Sequence, residues 1–544
     1  MNGETVEDLF ARYGPAYRWL VTSAGLIGAF AMVFSATVVN VAVPSVMGAF
    51  GVGQDQAQWM ATAFLATMTA SQLLNAWMVA AFGQRLAFAI TLGIFIVGTM
   101  FSGFAPNMDV LIFGRILQGC AAGIIQPLVM VTMFQVFPAD RRGLAMGIYG
   151  TGVVIAPAIG PAIGGIAIDV FSWRHIFFMP LPFCFVALFL GSIFMPAKGR
   201  SSDPLPRFDW IGYALLCTAL VLLLSASANG PRYGWTSDRI LGMAVLGTLA
   251  AAAFVVTQLR GRAPLLDMTL FRNPRFAAAL LVAFVFGAGN FASSYVIPVF
   301  VQAVQGYTAT KAGLVLMPAG LLLVLSLPLT GRLSDHVPDH VPIMLGLVCF
   351  AIGAGLMVDS DVNTGFYTFA LFAMISRFGL AFIIPSLSAA ALRALPPEQL
   401  NRGSGNVNFI RQLGGACGVN LIVVWLQQRT YFHSDVLTAT QTAANGASEA
   451  FLGAVSAELA HAGLSPDVQM PFALDYLGKV VYAQATTMGF QDSFLMLALV
   501  FLLALIPAWL LGRANKAGQS GADRAEKVRS VPAASPARAA APRS

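Results

Sequence analysis

The sequence predicts an all-α membrane protein that crosses the bilayer many times, on three observations. Of its 544 residues, 57% are hydrophobic and 10% are charged, and the mean hydropathy is +0.75. These values lie far outside the usual range of soluble domains. Apolar stretches of about 20 residues, the length that a spanning helix needs, recur along the chain. The loops between them alternate between basic and non-basic, as in multi-pass proteins.

Fourteen apolar stretches between residues 20 and 511 meet the length criterion for a spanning helix. Many are apolar on every face, so helical periodicity adds little to their assignment. The expected spans are 20–44, 58–80, 87–105, 110–136, 144–169, 176–196, 210–228, 240–259, 276–303, 313–331, 341–358, 365–391, 404–427 and 493–511.

The distribution of positive charge tests this count independently. Lys and Arg accumulate in the short loops on the cytoplasmic side of a membrane. With both termini placed inside, most of the 31 basic residues fall in cytoplasmic segments. The predicted outer segments hold only Arg174, Arg232, Arg239, Lys311, Arg429 and Lys479. A missed or invented span would disturb this alternation, so we expect fourteen helices with both termini cytoplasmic.

Charge and motif composition exclude several classes of protein. The net charge of +7 follows from topology and requires no nucleic-acid partner. The N-terminus lacks the basic region of a signal peptide, so we expect the first span to be retained. No P-loop, HExxH or GxSxG motif is present, which argues against ATP-driven transport and an enzyme, and no cofactor is expected. The five cysteines lie in predicted spans without a CxxC pair, which favours packing thiols and no metal site: Cys120, Cys184, Cys217, Cys349 and Cys417.

Polar stretches divide the chain into a six-plus-two-plus-six arrangement of helices. We expect a cytoplasmic N-terminal segment, a six-helix bundle, two additional helices, a second six-helix bundle with a long outer loop, and a disordered basic tail. The corresponding ranges are 1–19, 20–196, 197–275, 276–512 with its loop at 428–492, and 513–544. That loop is either a solvated cap or a docking surface for a periplasmic partner.

The predicted fifth span contains glycines and prolines that would indicate a loop in water. Spacing by four places small residues along one helix face, where they allow another helix to approach closely. The prolines form the neighbouring stripe. In lipid, nearby helices satisfy the backbone groups that proline frees. The pattern fits either plain packing or, as we favour, a kinked and tightly sealed helix at a moving interface. It comprises Gly152, Ala156, Pro157, Gly160, Pro161, Gly164 and Gly165.

Several motifs in a fixed order make the sequence resemble the fourteen-helix drug:proton antiporters of the major facilitator superfamily, which are multidrug efflux permeases. The pattern G-x(7)-G-P-x-x-G-G at 152–165 resembles their fifth-helix antiporter motif. The other motifs are TVVNVAVP at 37–44, RILQG at 115–119, SWRHIFF at 172–178 and GRLSD at 331–335. The resemblance covers nearly all of residues 15–512.

This resemblance implies a fold and an activity. It implies the major facilitator fold, in which two six-helix bundles surround a central cavity. It also implies alternating access and export of an amphipathic small molecule from the inner membrane, driven by proton entry. Many such relatives work with a periplasmic adaptor protein and an outer-membrane channel, so the loop at 428–492 would contact an adaptor.

The sequence departs from the family pattern at two places. The first helix of most relatives carries an Asp two residues before the Thr of TVVN, where this chain has Ser35. The first-half loop motif usually has Gly and Asp four residues apart, where this chain has Ala76 and Ala80; Gly83 and Arg85 remain. The second-half copy is intact, so we expect Gly331 and Asp335 to act in a cytoplasmic gate, together with Gly83 and Arg85.

No acidic residue occupies the middle of a predicted span. Proton coupling usually uses a buried carboxylate. The nearest candidate is Asp169, at the outer end of the fifth span, and Asp109 is a weaker one. The proton-binding residue therefore stays open at this point.

Three arginines, in contrast, lie inside predicted spans. A guanidinium at mid-span is expensive in lipid, so each should face the bundle interior or a wet cavity. For Arg115, a structural hub and a role in transport remain open alternatives, whereas Arg377 lies near the midplane and is the better candidate for contact with cargo. The candidate cavity residues are Asn40, Arg115, Gln118, Asn290, Arg377, Arg411 and Gln412.

A cavity with net positive charge and several amides favours anionic or neutral aromatic compounds over cations. The leading hypothesis is therefore a secondary exporter of amphipathic small molecules. The alternatives are a transporter of an anionic aromatic metabolite or lipid-like compound without standard proton coupling, and a non-transporting scaffold or sensor. Import also remains open, because only the resemblance favours export.

Overall fold

The structure is a computed structural model and describes residues 5–52, 54–57, 59–197, 207–261, 264–307, 309–442 and 444–513. Within these ranges the regular secondary structure is entirely helical. The tail expected at 513–544 lies outside them except for Arg513. We number the α-helices in chain order and refer to the 3-10 turns by their residue ranges.

The first part of the chain supplies ten α-helices. They are α1 (Val6–Tyr13), α2 (Tyr17–Val38), α3 (Val43–Phe50), α4 (Gln54–Ala57), α5 (Trp59–Ser71), α6 (Leu74–Gly103), α7 (Met108–Val136), α8 (Arg142–Val170), α9 (His175–Phe178) and α10 (Leu181–Phe194).

The remainder supplies a hairpin of two helices and then seven more. The hairpin is α11 (Trp210–Tyr233) and α12 (Asp238–Arg260). After a 3-10 turn at Met268–Arg272 come α13 (Pro274–Ala303), α14 (Ala309–His336), α15 (His340–Leu356), α16 (Phe366–Arg393), α17 (Leu400–Ala439), α18 (Gly446–His461) and α19 (Pro466–Leu503).

Eleven helical segments of the described residues are long and apolar enough to cross a membrane. The protein is therefore a multi-pass membrane protein. The other predicted spans fall on α5, α8 and α15, of which α15 is apolar but short. The total of fourteen spanning helices, and the side on which the termini lie, stay predictions.

The helices form two bundles and a hairpin beside them. Helices α2 and α5 to α10 pack with one another, and α13 to α17 pack with α19. The bundles meet along two seams, one of α8 against α14 and α16 and the other of α5, α6 and α7 against α17. The hairpin of α11 and α12 packs on the second seam, where Leu216, Leu220 and Phe254 join Leu73 of the first bundle and Phe409 of α17 in one apolar cluster.

The connection between the second and third predicted spans is a single glycine. Helix α6 runs through this position, but Gly83 has φ 75° and ψ 168°, a conformation that an L side chain rarely adopts. The helix therefore turns at this residue without a loop. The second predicted span is instead interrupted within its length, between Ser71 and Leu74.

The predicted outer loop at 428–492 is mostly helical. Helix α17 continues to Ala439, α18 covers Gly446–His461, and α19 begins at Pro466. Helix α17 has 40 residues, about 60 Å at 1.5 Å per residue, which is twice the thickness of a bilayer core. Both long helices thus project beyond a bilayer at one end of the molecule, which we call the extension end.

Candidate functional site

We call the end of the molecule opposite the extension end the clamp end. There the carboxylate of Asp335 joins the two bundles. Asp335, near the end of α14, accepts hydrogen bonds from the backbone N–H groups of Gly143 (2.6 Å) and Leu144 (2.9 Å). These residues begin α8, where the first N–H groups have no partner within the helix and the helix dipole favours negative charge. The predicted gate residue Asp335 therefore binds a helix N-terminus of the other bundle.

An arginine completes this clamp from a third helix. Arg393, the last residue of α16, donates to Asp335 (Nη2–Oδ1, 2.8 Å) and to Asp339 (Nη1–Oδ1, 2.6 Å). Burial raises the pKa of the Asp339 carboxyl above its ordinary value, against the opposing effect of the Arg393 guanidinium. Sequence reasoning missed both Asp339 and Arg393, since neither belongs to the GRLSD motif.

Glycines make the close approach at this seam possible. A Cβ atom at Gly331 would lie 2.5 Å from the carbonyl oxygen of Gly143, and one at Gly147 would collide with the carbonyl of Leu327. Predicted gate residue Gly331 thus allows α14 to touch the first turn of α8. We call the α8–α14 contact, with Asp335, the clamped seam.

The corresponding position of the first bundle lacks this clamp. Ala80 stands where a carboxylate is usual, and Gly83 forms the turn described above. Arg85 donates to the carbonyls of Met195 (Nε, 2.6 Å) and Ile193 (Nη2, 3.3 Å), at the end of α10. Arg85 therefore fixes α10 within its own bundle. In the second bundle, by contrast, Asp335 binds α8 across the seam.

The seam between α5–α6 and α17 instead buries amide side chains with unpartnered atoms. Gln72 and Asn75 are 0% exposed and Asn406 is 1% exposed. In the described structure both amide atoms of Gln72 and of Asn406, and the side-chain oxygens of Asn75 and Asn401, have no hydrogen-bond partner. The bond from Asn75 Nδ2 to the Asn401 carbonyl is long, at 3.4 Å. We call this contact the amide seam.

The free-energy cost of such groups is considerable. A buried polar group without a partner destabilises a structure by about 1–3 kcal/mol. Asp335, by comparison, receives a donor at each oxygen. The amide seam is therefore the less stable of the two contacts that close the clamp end.

Arg115 is held entirely within the first bundle. It is 1% exposed and donates to the carbonyl of Met60 (3.1 Å), to Ser35 Oγ (3.3 Å) and to Gln118 Oε1 (2.8 Å). Its guanidinium also lies 4.1 Å from the ring centroid of Phe64. Ser35, which replaces the usual Asp, thus contacts Arg115, and no described carboxylate pairs with it. These contacts connect α2, α5 and α7, as a structural hub would.

Arg377 is held in the second bundle. It is 9% exposed and donates to Asn290 Oδ1 (Nη1, 2.9 Å) and Ser294 Oγ (Nη2, 3.0 Å), both on α13. The predicted cavity residues Arg377 and Asn290 are therefore direct neighbours.

Arg411 is the arginine that lies between the bundles. Its Nη2 donates to Asn408 Oδ1 at 2.6 Å, and its guanidinium faces the hydroxyl of Tyr149 on α8 of the first bundle. Arg411 is partly exposed, whereas its neighbour Gln412 is 7% exposed. Sequence reasoning missed Tyr149, whose aromatic ring gives no signal in an apolar span.

The glycine stripe of α8 packs inside its own bundle. Cβ atoms at Gly152 and Gly160 would lie 2.6 Å and 2.5 Å from side-chain atoms of Leu26 and Thr37 on α2. Pro157 is exposed and Gly164 is buried, and α8 is one helix from Arg142 to Val170, so the prolines do not break it. The surroundings of Asn40, Pro161, Gly165 and Asp169 are not among those that the structure describes, so these four predictions stay untested.

Asp109, the weaker of the two candidates for proton binding, lies at a helix end. Asp109 is exposed in the first turn of α7. No group of three or more His, Cys, Asp or Glu side chains that could hold a metal occurs in the described parts of the chain.

The chain belongs to the major facilitator superfamily, whose family model matches residues 25–419. It is a secondary transporter and not an enzyme. It is 28% identical to the uncharacterised MFS-type transporter YhcA of Bacillus subtilis over 88% of this chain and 90% of that one. It is 27% identical to the multidrug export protein EmrB of Haemophilus influenzae, with coverage of 90% and 95%.

A solved structure shares the fold at low sequence identity. The crystal structure of the human organic anion transporter MFSD10 superposes with a TM-score of 0.57 and 13% identity, covering 91% of this chain and 99% of that one. At this identity the likeness concerns the fold alone.

Proposed function

We propose that this protein is an inner-membrane exporter of amphipathic small molecules that works by alternating access and is coupled to proton entry. Relatives named as multidrug transporters, at about 27% identity, support efflux as the class of activity. In this proposal fourteen helices cross the bilayer, both termini are cytoplasmic, and the clamp end faces the cytoplasm. The distribution of basic residues supports that orientation.

One observation carries the proposal: Asp335 of one bundle binds the N-terminus of α8 in the other. A contact of this kind is a reversible closure, because it can break without disturbing the core of either bundle. We interpret the structure as a state closed at the cytoplasmic end. Rotation of the bundles would break the clamp and admit cargo from that side.

Cargo in this proposal contacts Arg411. Its guanidinium lies between the bundles, faces Tyr149 and is bound by one amide, so it keeps donors for a ligand. Arg377 with Asn290 forms a second polar group, which lies within the second bundle. Both favour acidic or neutral aromatic compounds over cations, since the described partners of these guanidinium groups are amides and a hydroxyl and carry no charge.

Proton coupling is the second part of the proposal. Asp109 is exposed at a helix end, and Asp169 stays the leading candidate from the sequence. Export in inside-out vesicles should fall to the passive rate when an uncoupler removes the proton gradient. An unchanged rate would show that transport is not driven by protons.

We also propose that the extension end contacts a periplasmic adaptor that leads to an outer-membrane channel. The first turns of α19 expose large apolar side chains, including Met470, Phe472, Leu474 and Tyr476. Crosslinking from photoreactive groups at Phe472 and at the exposed but remote Leu249 of α12 tests this. Adduct formation with an adaptor is expected only from position 472.

The main test is a growth screen in an efflux-deficient host. Expression should raise resistance to amphipathic toxicants, and Arg411→Gln should reduce it for acidic compounds more than for cationic ones. Equal resistance of cells with and without the protein across both classes would contradict export.

A further inference from the structure

The amide seam differs from the clamped seam because it buries polar atoms that have no hydrogen-bond partner. Six amide atoms on four residues have no hydrogen-bond partner there: the two of Gln72, the two of Asn406, and the side-chain oxygens of Asn75 and Asn401. Gln72, Asn75 and Asn406 are at least 99% buried. Polar groups buried to this degree are normally paired, so these donors and acceptors indicate a ligand or water present in another state.

The backbone gives a second, independent indication at the same place. The second predicted span is interrupted at Gln72 and Leu73, between α5 and α6. The carbonyl of Gln72 would lie 2.8 Å from a Cβ atom at Gly405, so α17 lies directly against the interruption. Leu73 keeps right-handed helical angles (φ −75°, ψ −18°) and its N–H donates to the Ala70 carbonyl, so the interruption is a break in the regular i to i−4 hydrogen bonding of the helix. Backbone groups freed in this way at membrane depth are tolerated only where protein covers them or where they line a water-filled cavity.

We propose that Gln72, Asn75, Asn401 and Asn406 form a binding subsite for uncharged hydrogen-bonding groups of the cargo, such as amides and hydroxyls. The inference rests on the alternating-access part of the proposed function. In the state described here α17 covers the subsite. When the clamp end opens, the seam separates, water enters, and the four amides line the mouth through which cargo arrives.

The chemistry of these side chains defines the ligand class. Each amide offers both donors and acceptors, and none carries charge. The subsite therefore recognises neutral polar groups, whereas Arg411 recognises anionic ones. An amphipathic compound with both kinds of group would contact the amides first and Arg411 next, because the amides lie nearer the clamp end along α17.

Thiol labelling tests whether the subsite becomes accessible. Asn406→Cys is introduced after replacement of the native cysteines and treated with a membrane-impermeant thiol reagent in inside-out and right-side-out vesicles. We expect labelling in inside-out vesicles only, rising with Asp335→Asn, which releases the clamp. Thr91→Cys is the matched control, because Thr91 is fully buried within the first bundle and already bonded to the Ala87 carbonyl.

Two labelling results would overturn the proposed subsite. Labelling of position 406 at the same low rate as position 91, with and without Asp335→Asn, would overturn the proposal. Labelling from the outer side alone would also overturn it. Because this measurement needs no transport, failure of the proposed cargo class or of proton coupling leaves the labelling result interpretable.

Apolar replacements test binding and provide a second route if Asn406→Cys does not fold. Gln72→Leu and Asn406→Leu remove the unpartnered atoms while keeping side-chain size. We expect KM for a cargo bearing an amide or hydroxyl to rise about tenfold, a change of about 1.4 kcal/mol, and KM for its methylated analogue to stay unchanged. Thr91→Val should change neither value. An equal rise for both compounds would contradict recognition by these amides.

Discussion

The two seams that close the clamp end are built on different principles. In the clamped seam a carboxylate meets a helix N-terminus, and glycines bring α14 against α8. The first bundle has Ala80 at the position that corresponds to this carboxylate, and in the amide seam buried amides lie without partners. One seam is therefore held by charge-assisted hydrogen bonds, and the other is held chiefly by apolar packing with the α11–α12 hairpin.

This difference indicates that the two seams have different tasks. A seam with satisfied polar groups resists separation, whereas one with unsatisfied groups gains hydrogen bonds to water when it separates. We infer that the amide seam hydrates readily and that the clamp sets the stability of the closed end.

The largest effect is expected from breaking the clamp. Asp335→Asn removes the charge that binds the start of α8, and hydrogen bonds to charged groups contribute about 1.5–3 kcal/mol. The ratio of closed to open clamp ends should fall at least about tenfold. Pulsed electron spin resonance between labels at positions 141 and 332 measures the ratio. Glu458→Gln, an exposed control on α18 at the extension end, should leave the distances unchanged. An equal shift in both variants would refute the clamp.

Removing the positive charge of Arg411 should weaken cargo binding and leave the ratio of closed to open clamp ends unchanged. Arg411→Gln is expected to weaken resistance to acidic compounds about tenfold, the loss of one charge-assisted contact. Arg377→Gln should have a smaller effect, because Asn290 and Ser294 already occupy its guanidinium. Drug-susceptibility assays with matched acidic and cationic dyes measure both. A changed distance distribution between positions 141 and 332 in Arg411→Gln would contradict the separation of roles.

Adding a charge should make the amide seam resemble the clamped one. Ala80→Asp places a carboxylate at the first-bundle position that corresponds to Asp335, and by that correspondence we expect it to meet the start of α17. Interaction with a helix N-terminus contributes about 0.3–1 kcal/mol, so we expect the closed state to gain about two- to fivefold. Slower labelling of Asn406→Cys from the cytoplasmic side would show this gain. Ala80→Asn is the neutral control, and faster labelling in Ala80→Asp would mean that the carboxylate repels α17.

The smallest effect is expected where the connection after α12 is attached to α17. Arg402 is bonded to Asp267 at 2.9 Å but is half exposed, so Arg402→Gln should lower stability by only about 0.2–1 kcal/mol. Burial raises the pKa of Asp267, but bonds from Thr269 and Arg402 outweigh it and leave the pKa below its ordinary value of 3.8.

The pH dependence of this pair follows from that direction. A lowered pKa in the folded protein means that the pair stabilises it above pH 3.8 and that this contribution disappears as the pH falls through the lower value. Thermal unfolding in detergent should therefore separate wild type from Arg402→Gln at neutral pH and not in strong acid. A difference that persists in acid would assign the effect to packing.

Eleven of the fourteen predicted spans coincide with helices long and apolar enough to cross a membrane, because hydropathy depends only on the composition of each segment. Motifs identified Asp335 and Gly331, which the structure places in the clamp. The position of Arg411 between the bundles could not be predicted, since a guanidinium in an apolar span has the same pattern whether it faces its own bundle, like Arg115, or the partner bundle. The buried, unpartnered amide of Gln72 could not be predicted, because one amide in an apolar span gives no signal of what lies opposite.

By itself, therefore, the sequence determined that the chain crosses a membrane many times and where most of its apolar helices lie, since transfer of apolar residues from water to lipid acts on each segment separately. Only the tertiary structure decided which polar groups meet across the seams. Arg393 and Asp335 are 58 residues apart, and Asp335 and Gly143 are 192 apart. Their pairing depends on how two bundles pack, a property that no local pattern carries.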